Sequence, residues 1–556
     1  MTVMRHRDLT EEILANVWKE VLGVNRIGIH NSFFELGGDS IKAIQVSSRM
    51  HRYQLKLEAR DLLKYTRICQ LSRHVMPLTR CIDQGEVSGE LEPTPVQRWF
   101  FTNQSKGRHH FNQSMMLYSR ERLDEGTVSR IFDALVKHHD ALRLVCRDRY
   151  GDPILTYRGV EGDGKLYDLF VFDIRDEYNV KASIESQADE LQSRVNLSEG
   201  PLVKIGLFQV EQGTHLLIII HHLAVDGVSW RILLEDLGEA FSQCANGEPI
   251  TLQAKTHSYA EWSRALKEYA QTEELKNERA YWSRFSDEAF SPLDKDFDYP
   301  EHRTRDSRDV VISLSESNTT RLITECHAAY NTEMNDLLLA SLALALRSWT
   351  GESRFLIQLE SHGRETVIEG LDIGRTVGWF TSIFPVGLTL PDNDLIGDAV
   401  KLVKESLRSI PNKGMGYGIL KYLSDTEEEE SLEFGLQSDI SFNYLGQFGG
   451  EMGSGRMDFS PYSTGREVSP DYGNRCSLDI NGILINGQLS FTISFSTRQY
   501  LEQSILTLGK LFNDKLNAVI EHCSSRQETE HTPSDFSSKD LDFDTLRDVF
   551  SALENL

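Results

Sequence analysis

The stretch His215–Trp230, "HLLIIIHHLAVDGVSW", sets an apolar run against two adjacent histidines and an Asp-Gly turn. Leu216–Ile220 has strand length and no polar alternation, the pattern of a strand covered on both faces. Its end delivers His221 and His222 to the rim of a sheet. Side chains alternate along a strand, so one of the two histidines at most faces a given cavity. Asp226-Gly227 then turns the chain, and "SWRILLEDL" opens a helix with Ser229 as the expected cap. Strand, turn and helix in that order indicate α/β construction. Two other pairs lack this setting. "LVKHHDALRL" reads as a helical face followed by an apolar run, which makes His138 and His139 structural. His109 and His110 lie in a polar segment and receive no role.

Outward from this stretch, 556 residues exceed what one core can hold and imply roughly three or four folding units. A hydrophobic content of 40% permits large globular cores. The net charge of −25 argues against nucleic acid or an anionic membrane as partner, because both need clustered Lys and Arg. No apolar run approaches a membrane span, and "MTVMRHRDLTEE" has no apolar secretory segment. Seven cysteines without a C-x-x-C pair indicate neither a disulfide framework nor a zinc site, so a cytoplasmic protein with reduced thiols is expected.

Four segments are expected. Residues 1–74 read as a small all-α bundle of about four helices, with Ile13, Val17, Trp18 and Val21 on one helical face. Residues 75–92 are polar and irregular, a linker. Residues 93–525 mix strand-like runs such as "RFLIQLE" and "LSFTISFS" with helical stretches. They are expected to form two lobes, about 93–290 and 291–525. Residues 526–556 read as a flexible polar spacer and then an acidic helix in "LDFDTLRDVFSALENL", together a docking segment.

Ser40 follows Gly37-Gly38-Asp39 where a loop meets a helix, and Asp39 or Ser40 can cap that helix. A phosphate on Ser40 would face unpaired backbone N–H groups and the positive end of the helix dipole. The whole of "NSFFELGGDSIKAIQ" (Asn31–Gln45) resembles the peptidyl carrier domain of nonribosomal peptide synthetases. That resemblance implies a 4′-phosphopantetheine arm on Ser40, and Asp39 resembles the carrier type found ahead of epimerization domains.

The spacing His-His-x-x-x-Asp-Gly resembles the condensation-domain superfamily, a two-lobed α/β fold of the chloramphenicol-acetyltransferase type. It implies His222 as the active imidazole and Asp226 as a support paired with an arginine, Arg364. The histidine motif serves both amide-forming condensation and epimerization. Five further stretches, "PTPVQRWF" (Pro93–Phe100), "LESHGRE" (Leu359–Glu365), "RTVGWFTSIFPV" (Arg375–Val386), "PNKGMGYG" (Pro411–Gly418) and "FNYLGQF" (Phe442–Phe448), resemble the epimerization branch.

The activity so implied is inversion of an L-aminoacyl thioester on the Ser40 arm, phenylalanyl by the nearest resemblance, in nonribosomal peptide antibiotic synthesis. Glu360 and His222 would act on opposite faces of Cα and Tyr444 would assist. Asp226, Arg364, Asp236 and Asn443 would support the site. Neither a metal nor pyridoxal phosphate is implied. One departure stands out: Ser361 replaces the glycine usual after the glutamate. If that position needs positive φ, a serine costs on the order of 1 kcal/mol. The alternatives are a condensation-type acyltransferase and a non-catalytic carrier. Partners implied by the resemblance are an upstream adenylation domain, a phosphopantetheinyl transferase, and a downstream condensation domain reached through residues 526–556.

Overall fold

The structure, a computed structural model, describes residues 2–78, 82–104, 106–149, 152–161, 164–287, 290–424, 438–448 and 457–536, with Phe543 and Thr545. The first unit contains α1 (Thr2–Leu22), α2 (Ser40–Met50), α3 (Ala59–Lys64) and α4 (Ile68–Leu71). Leu14, Val17 and Trp18 of α1 are fully buried and pack with Phe33, Val46, Leu62 and Ile68 in a small core of their own. A two-residue ribbon, Leu55–Lys56 against Met76–Pro77, departs from the all-helical expectation. Two residues are too few to leave a periodic signal in sequence.

The segment read as a linker is structured at both ends. Met76–Pro77 closes that ribbon, and Gly89–Leu91 joins a three-stranded sheet with Leu144–Arg149 and Asp152–Tyr157. In the first lobe, β1 (Asn112–Ser119), β2 (Asp168–Asp173), β3 (Val203–Val210) and β4 (Gly213–His221) share one sheet. Every residue of β4 is buried, as its unbroken apolar run requires. Its helix, α5 (Gly227–Ala245), is capped by Asp226 rather than Ser229: the carboxylate accepts from the Ser229 N–H at 2.7 Å. Asp226 is the residue still in extended conformation, which the cap geometry needs.

The second lobe is built on β5 (Ser307–Ser313), β6 (Arg354–Ser361), β7 (Ser382–Thr389), β8 (Ile440–Phe448), β10 (Leu478–Ile485) and β11 (Gln488–Ser496). In the first-lobe sheet, β9 (Met457–Phe459) pairs with β1. The six second-lobe strands lie in the order β5-β11-β10-β8-β6-β7. β6, β8 and β10 run parallel, with Gln358, Ser441 and Asp479 abreast. α6 (Met334–Thr350), α7 (Ile396–Arg408) and α8 (Glu502–Ser524) pack with one another beside this sheet.

The two lobes do not divide the chain as simply as a cut near residue 290 expects. β9, late in sequence, belongs to the first-lobe sheet, and Val468 bridges to Phe111. Gly473–Asn474 then pairs with His302–Arg303, so residues 457–474 strap both lobes together.

The C-terminal spacer is also a correction. Residues 526–536 pack on the second lobe. Thr532 is fully buried, and Asp535 pairs with the buried Lys404 of α7 at 2.7 Å. Glu530 N–H donates to the Ala329 carbonyl, and Lys401 bonds Glu530. Buried polar partners hold this polar stretch, a cause that hydropathy does not register. The acidic helix expected at the end lies outside the described residues apart from Phe543 and Thr545.

Candidate active site

His222 begins a short 3₁₀ turn directly after β4. Its Nδ1 lies 2.8 Å from the Val225 carbonyl, an acceptor only, so the ring proton sits on Nδ1. Nε2 lies 2.9 Å from the Gln113 side-chain nitrogen. The ring stacks on Phe111 at 5.1 Å and meets Trp379 at 4.4 Å. Burial, its largest influence, lowers the His222 pKa, while Asp226 acts the other way. His221 is held oppositely: its Nε2 donates to the Arg108 carbonyl at 2.8 Å and its Nδ1 accepts from the Leu223 N–H. Fully buried, it is pushed down to about 3.

Asp226 and Arg364 form a buried pair at 3.3 Å. The guanidinium also donates to the Ile373 and Thr376 carbonyls and stacks on Phe380, while the second carboxylate oxygen of Asp226 accepts from the Phe380 N–H. The segment after β6 is therefore tied to the turn after β4. Gly363 permits this close approach, since a Cβ there would stand 1.7 Å from the Phe380 carbonyl oxygen. Asp236 is placed elsewhere. It joins His139 at 2.9 Å and Arg375 in a buried network, and the ligand-capable atoms of His138, His139 and Asp236 lie within 4.8 Å of one another. Lys255 and Arg375 act on His138 there, an environment that disfavours a further cation.

Glu360 stands near the end of β6 and lines a cavity. Ser40, Asp226, Arg231, Asn443 and Tyr444 line the same cavity; His222 is not among its lining residues. Asn443 donates to the Glu360 carboxyl at 3.1 Å. Burial foremost, and the charge of Asp479 second, raise the Glu360 pKa to about 8. Asp479 is itself raised to about 6, mainly by burial. Tyr444 is raised as well, by burial and then by Asp39. Ser361 has no positive φ and pairs with Ser382 in the β6–β7 ladder, so the departure from glycine carries no backbone strain.

Ser40 is the first residue of α2, capped by Asp39, whose carboxylate accepts from the Lys42 N–H at 2.7 Å. No hydrogen bond engages the Ser40 hydroxyl among the described residues. The loop before it is tight: a Cβ at Gly38 would meet the Phe33 ring at 2.3 Å. This first unit is seated on the first lobe by an ion pair, Arg49 to Glu235 at 2.6 Å, and His51 Nε2 lies 3.3 Å from the Asp372 carboxylate. A free hydroxyl at a helix N-terminus, open to the cavity, suits a phosphodiester-linked arm.

A chain of rings runs from the imidazole toward the second lobe. Phe111 stacks on His222 on one side and on Tyr472 at 4.8 Å on the other, and the charge of Glu360 acts on Tyr472. Thr381 lines both the Ser40 cavity and a second, aromatic-walled cavity that includes Trp379. Sequence reading missed Gln113, Trp379 and Asp479. Trp379 lies inside a stretch singled out by resemblance; nothing in the local sequence distinguishes Gln113 or Asp479.

Comparison with known proteins places the chain in a family. The condensation-domain family model matches residues 87–542, and the phosphopantetheine attachment site model matches residues 12–75. Tyrocidine synthase 1 of Brevibacillus parabrevis is 43% identical over 99% of this chain and 51% of its own length. Gramicidin S synthase 1 of Brevibacillus brevis is 42% identical over 98% of this chain and 50% of its own length. The chain thus spans about half the length of these relatives. The crystal structure of the epimerization domain from the third module of tyrocidine synthetase B matches with a TM-score of 0.78 at 39% identity, over 81% of this chain and 100% of that one. No helix among the described residues is long and apolar enough to cross a membrane.

Proposed function

The chain belongs to the condensation-domain family of nonribosomal peptide synthetases, with a phosphopantetheine attachment domain ahead of it, and on that premise we propose that it inverts Cα of an aminoacyl or peptidyl thioester carried on Ser40. The observation that carries the reading is Glu360. It is a carboxyl in the cavity that Ser40 lines, with a pKa of about 8. At neutral pH such a group keeps its proton and can give it to carbon. Joining two acyl chains by an amide bond needs no second acid of this kind, whereas inversion needs an acid and a base on opposite faces. The 39% identity to a complete epimerization domain supports the same choice.

The arm supplies a thioester, whose sulfur donates weakly into the carbonyl and leaves the α-proton acidic. His222, neutral with a lone pair at Nε2, takes that proton as the Cα–H bond breaks and its electron pair moves into the carbonyl. Glu360 returns a proton to the other face, and Asn443 then stabilises the carboxylate left behind. Tyr444 is assigned to the enolate oxygen. Asp226 and Arg364 hold the turn that carries His222; Asp236 acts more remotely, through His139 and Arg375. Arg231 and the first turn of α2 would hold the phosphate of the arm.

Phenylalanyl thioester, the acyl group implied by resemblance, is the first substrate to test. Loaded on Ser40 in deuterated water, it should gain deuterium at Cα without change in chain composition. Both His222→Ala and Glu360→Gln should lose roughly 10²–10⁴-fold in exchange. Retained exchange in both variants would remove the mechanism. Growth of the product by a second acyl group would indicate condensation instead.

An adenylation domain upstream and a phosphopantetheinyl transferase are the partners that load the arm. Residues from 537 onward are proposed to meet a downstream condensation domain. Deletion of residues 537–556 should abolish transfer to that partner. Deletion from residue 526 should also destabilise the second lobe, because it strips Lys404 of Asp535.

A further inference from the structure

We propose that Gln113 is a positioning residue for His222, fixing the ring in its Nδ1–H tautomer and reserving Nε2 as a proton acceptor. Gln113 projects from β1, the neighbour of β4. A glutamine amide can point either way, but here its orientation is determined. The Trp230 indole N–H, a donor only, lies 3.0 Å from the Gln113 oxygen. The Gln113 NH₂ must then face His222, which it meets at 2.9 Å. The imidazole nitrogen there accepts, and the remaining ring proton goes to Nδ1 and the Val225 carbonyl at 2.8 Å. Trp230, Gln113, His222 and Val225 form one directed relay in which every donor meets an acceptor.

This relay opposes protonation of His222. An imidazolium would place two N–H groups face to face at Nε2, unless the amide turns and surrenders Trp230. Each turnover must therefore displace Gln113 as Nε2 receives its proton. The other groups around the ring do not replace the amide. Phe111 and Trp379 present ring faces, Tyr472 stacks behind Phe111, and His221 is neutral with its own carbonyl partner. Asp226, the charged group acting on His222, favours the imidazolium but is itself held by Arg364.

The catalytic consequence rests on the role proposed for His222, whereas the effect on the ring's protonation does not. The test uses the full chain labelled with ¹⁵N-histidine, followed by NMR from about pH 5 to about pH 9 alongside deuterium exchange at Cα. In the parent protein, His222 should show an unprotonated Nε2 at neutral pH. Gln113→Leu, which removes the cap, should make the ring titrate at higher pH than in the parent. Gln113→Glu, which turns the donor into a charged acceptor, should raise the titration further. It should also cost at least about tenfold in exchange at neutral pH. Identical His222 titration in the parent and Gln113→Leu overturns the proposal, even if Gln113→Glu fails to fold. A shifted titration with unchanged exchange supports the positioning of the ring and removes His222 from the reaction.

Discussion

His222 and Glu360 stand at the ends of strands in the two sheets, and burial drives both toward neutrality with opposite chemical results. The imidazole loses its proton and becomes an acceptor. The carboxyl keeps its proton and becomes a donor. Their surroundings differ just as clearly. His222 is fixed at both nitrogens and between two rings, with the Asp226–Arg364 pair behind it. Glu360 has Asn443 as its hydrogen-bond partner and a second carboxyl, Asp479, as its electrostatic neighbour. The imidazole of the first lobe is the more tightly held group, and the carboxyl of the second lobe is the one with the raised pKa. Desolvation can therefore set up an acid–base pair without a cation beside either member.

The widest separation between the two ends should appear in the pH dependence of exchange. Activity should fall below the lowered pKa of His222 and again above about 8, as Glu360 ionises. In Glu360→Gln the residual rate, down by roughly 10²–10⁴-fold, should lose the upper limb. An upper limb that survives in this variant would assign it to another group.

Next in size is the lock. Arg364→Met leaves Asp226 buried without its partner and should cost roughly 3–5 kcal/mol in urea unfolding, with exchange lost along with the turn that holds His222. A cost below about 1 kcal/mol would mean that the first lobe does not depend on this pair.

Stability separates the ends again. The folded-state pKa of Glu360 lies above its ordinary value of 4.5, so its favourable contribution is complete below about 4.5. That contribution is lost as pH rises through about 8. Glu360→Gln, fixed neutral, should accordingly gain on the parent between about pH 5 and about pH 9. A gain on the order of 1–2 kcal/mol allows for water in the cavity. Thermal unfolding at the two pH values measures it, and a difference that does not change with pH would refute the raised pKa.

The smallest expected effect is at Asp479. Asp479→Asn removes the second cause of the shift and should move the upper limb of the exchange profile down by about one pH unit or less. An upward movement would contradict the charge argument.

Much of this arrangement was legible before any coordinates. Leu216–Ile220 announced a central strand because a run without polar alternation is stable only when both faces are covered, and β4 is buried throughout. Gly37-Gly38-Asp39-Ser40 announced a helix start for the same kind of local reason, a capping carboxylate followed by a helical period. Ser229 was misassigned as a cap because Asp226 reaches the same N–H three residues on, and sequence alone does not rank the two. The anchoring of residues 526–536 was invisible, since its cause is a buried lysine more than a hundred residues earlier.

The sequence by itself determined which side chains could do the chemistry, because strand ends, caps and turns are written in short-range patterns of polarity and backbone preference. Tertiary structure alone decided their protonation states and neighbours. Parallel pairing of β6, β8 and β10 brings Asp479 near Glu360, and antiparallel pairing of β1 with β4 brings Gln113 to the imidazole. Both effects act through space between residues distant in the chain. Their strength depends on exclusion of water, which only the packed lobes provide.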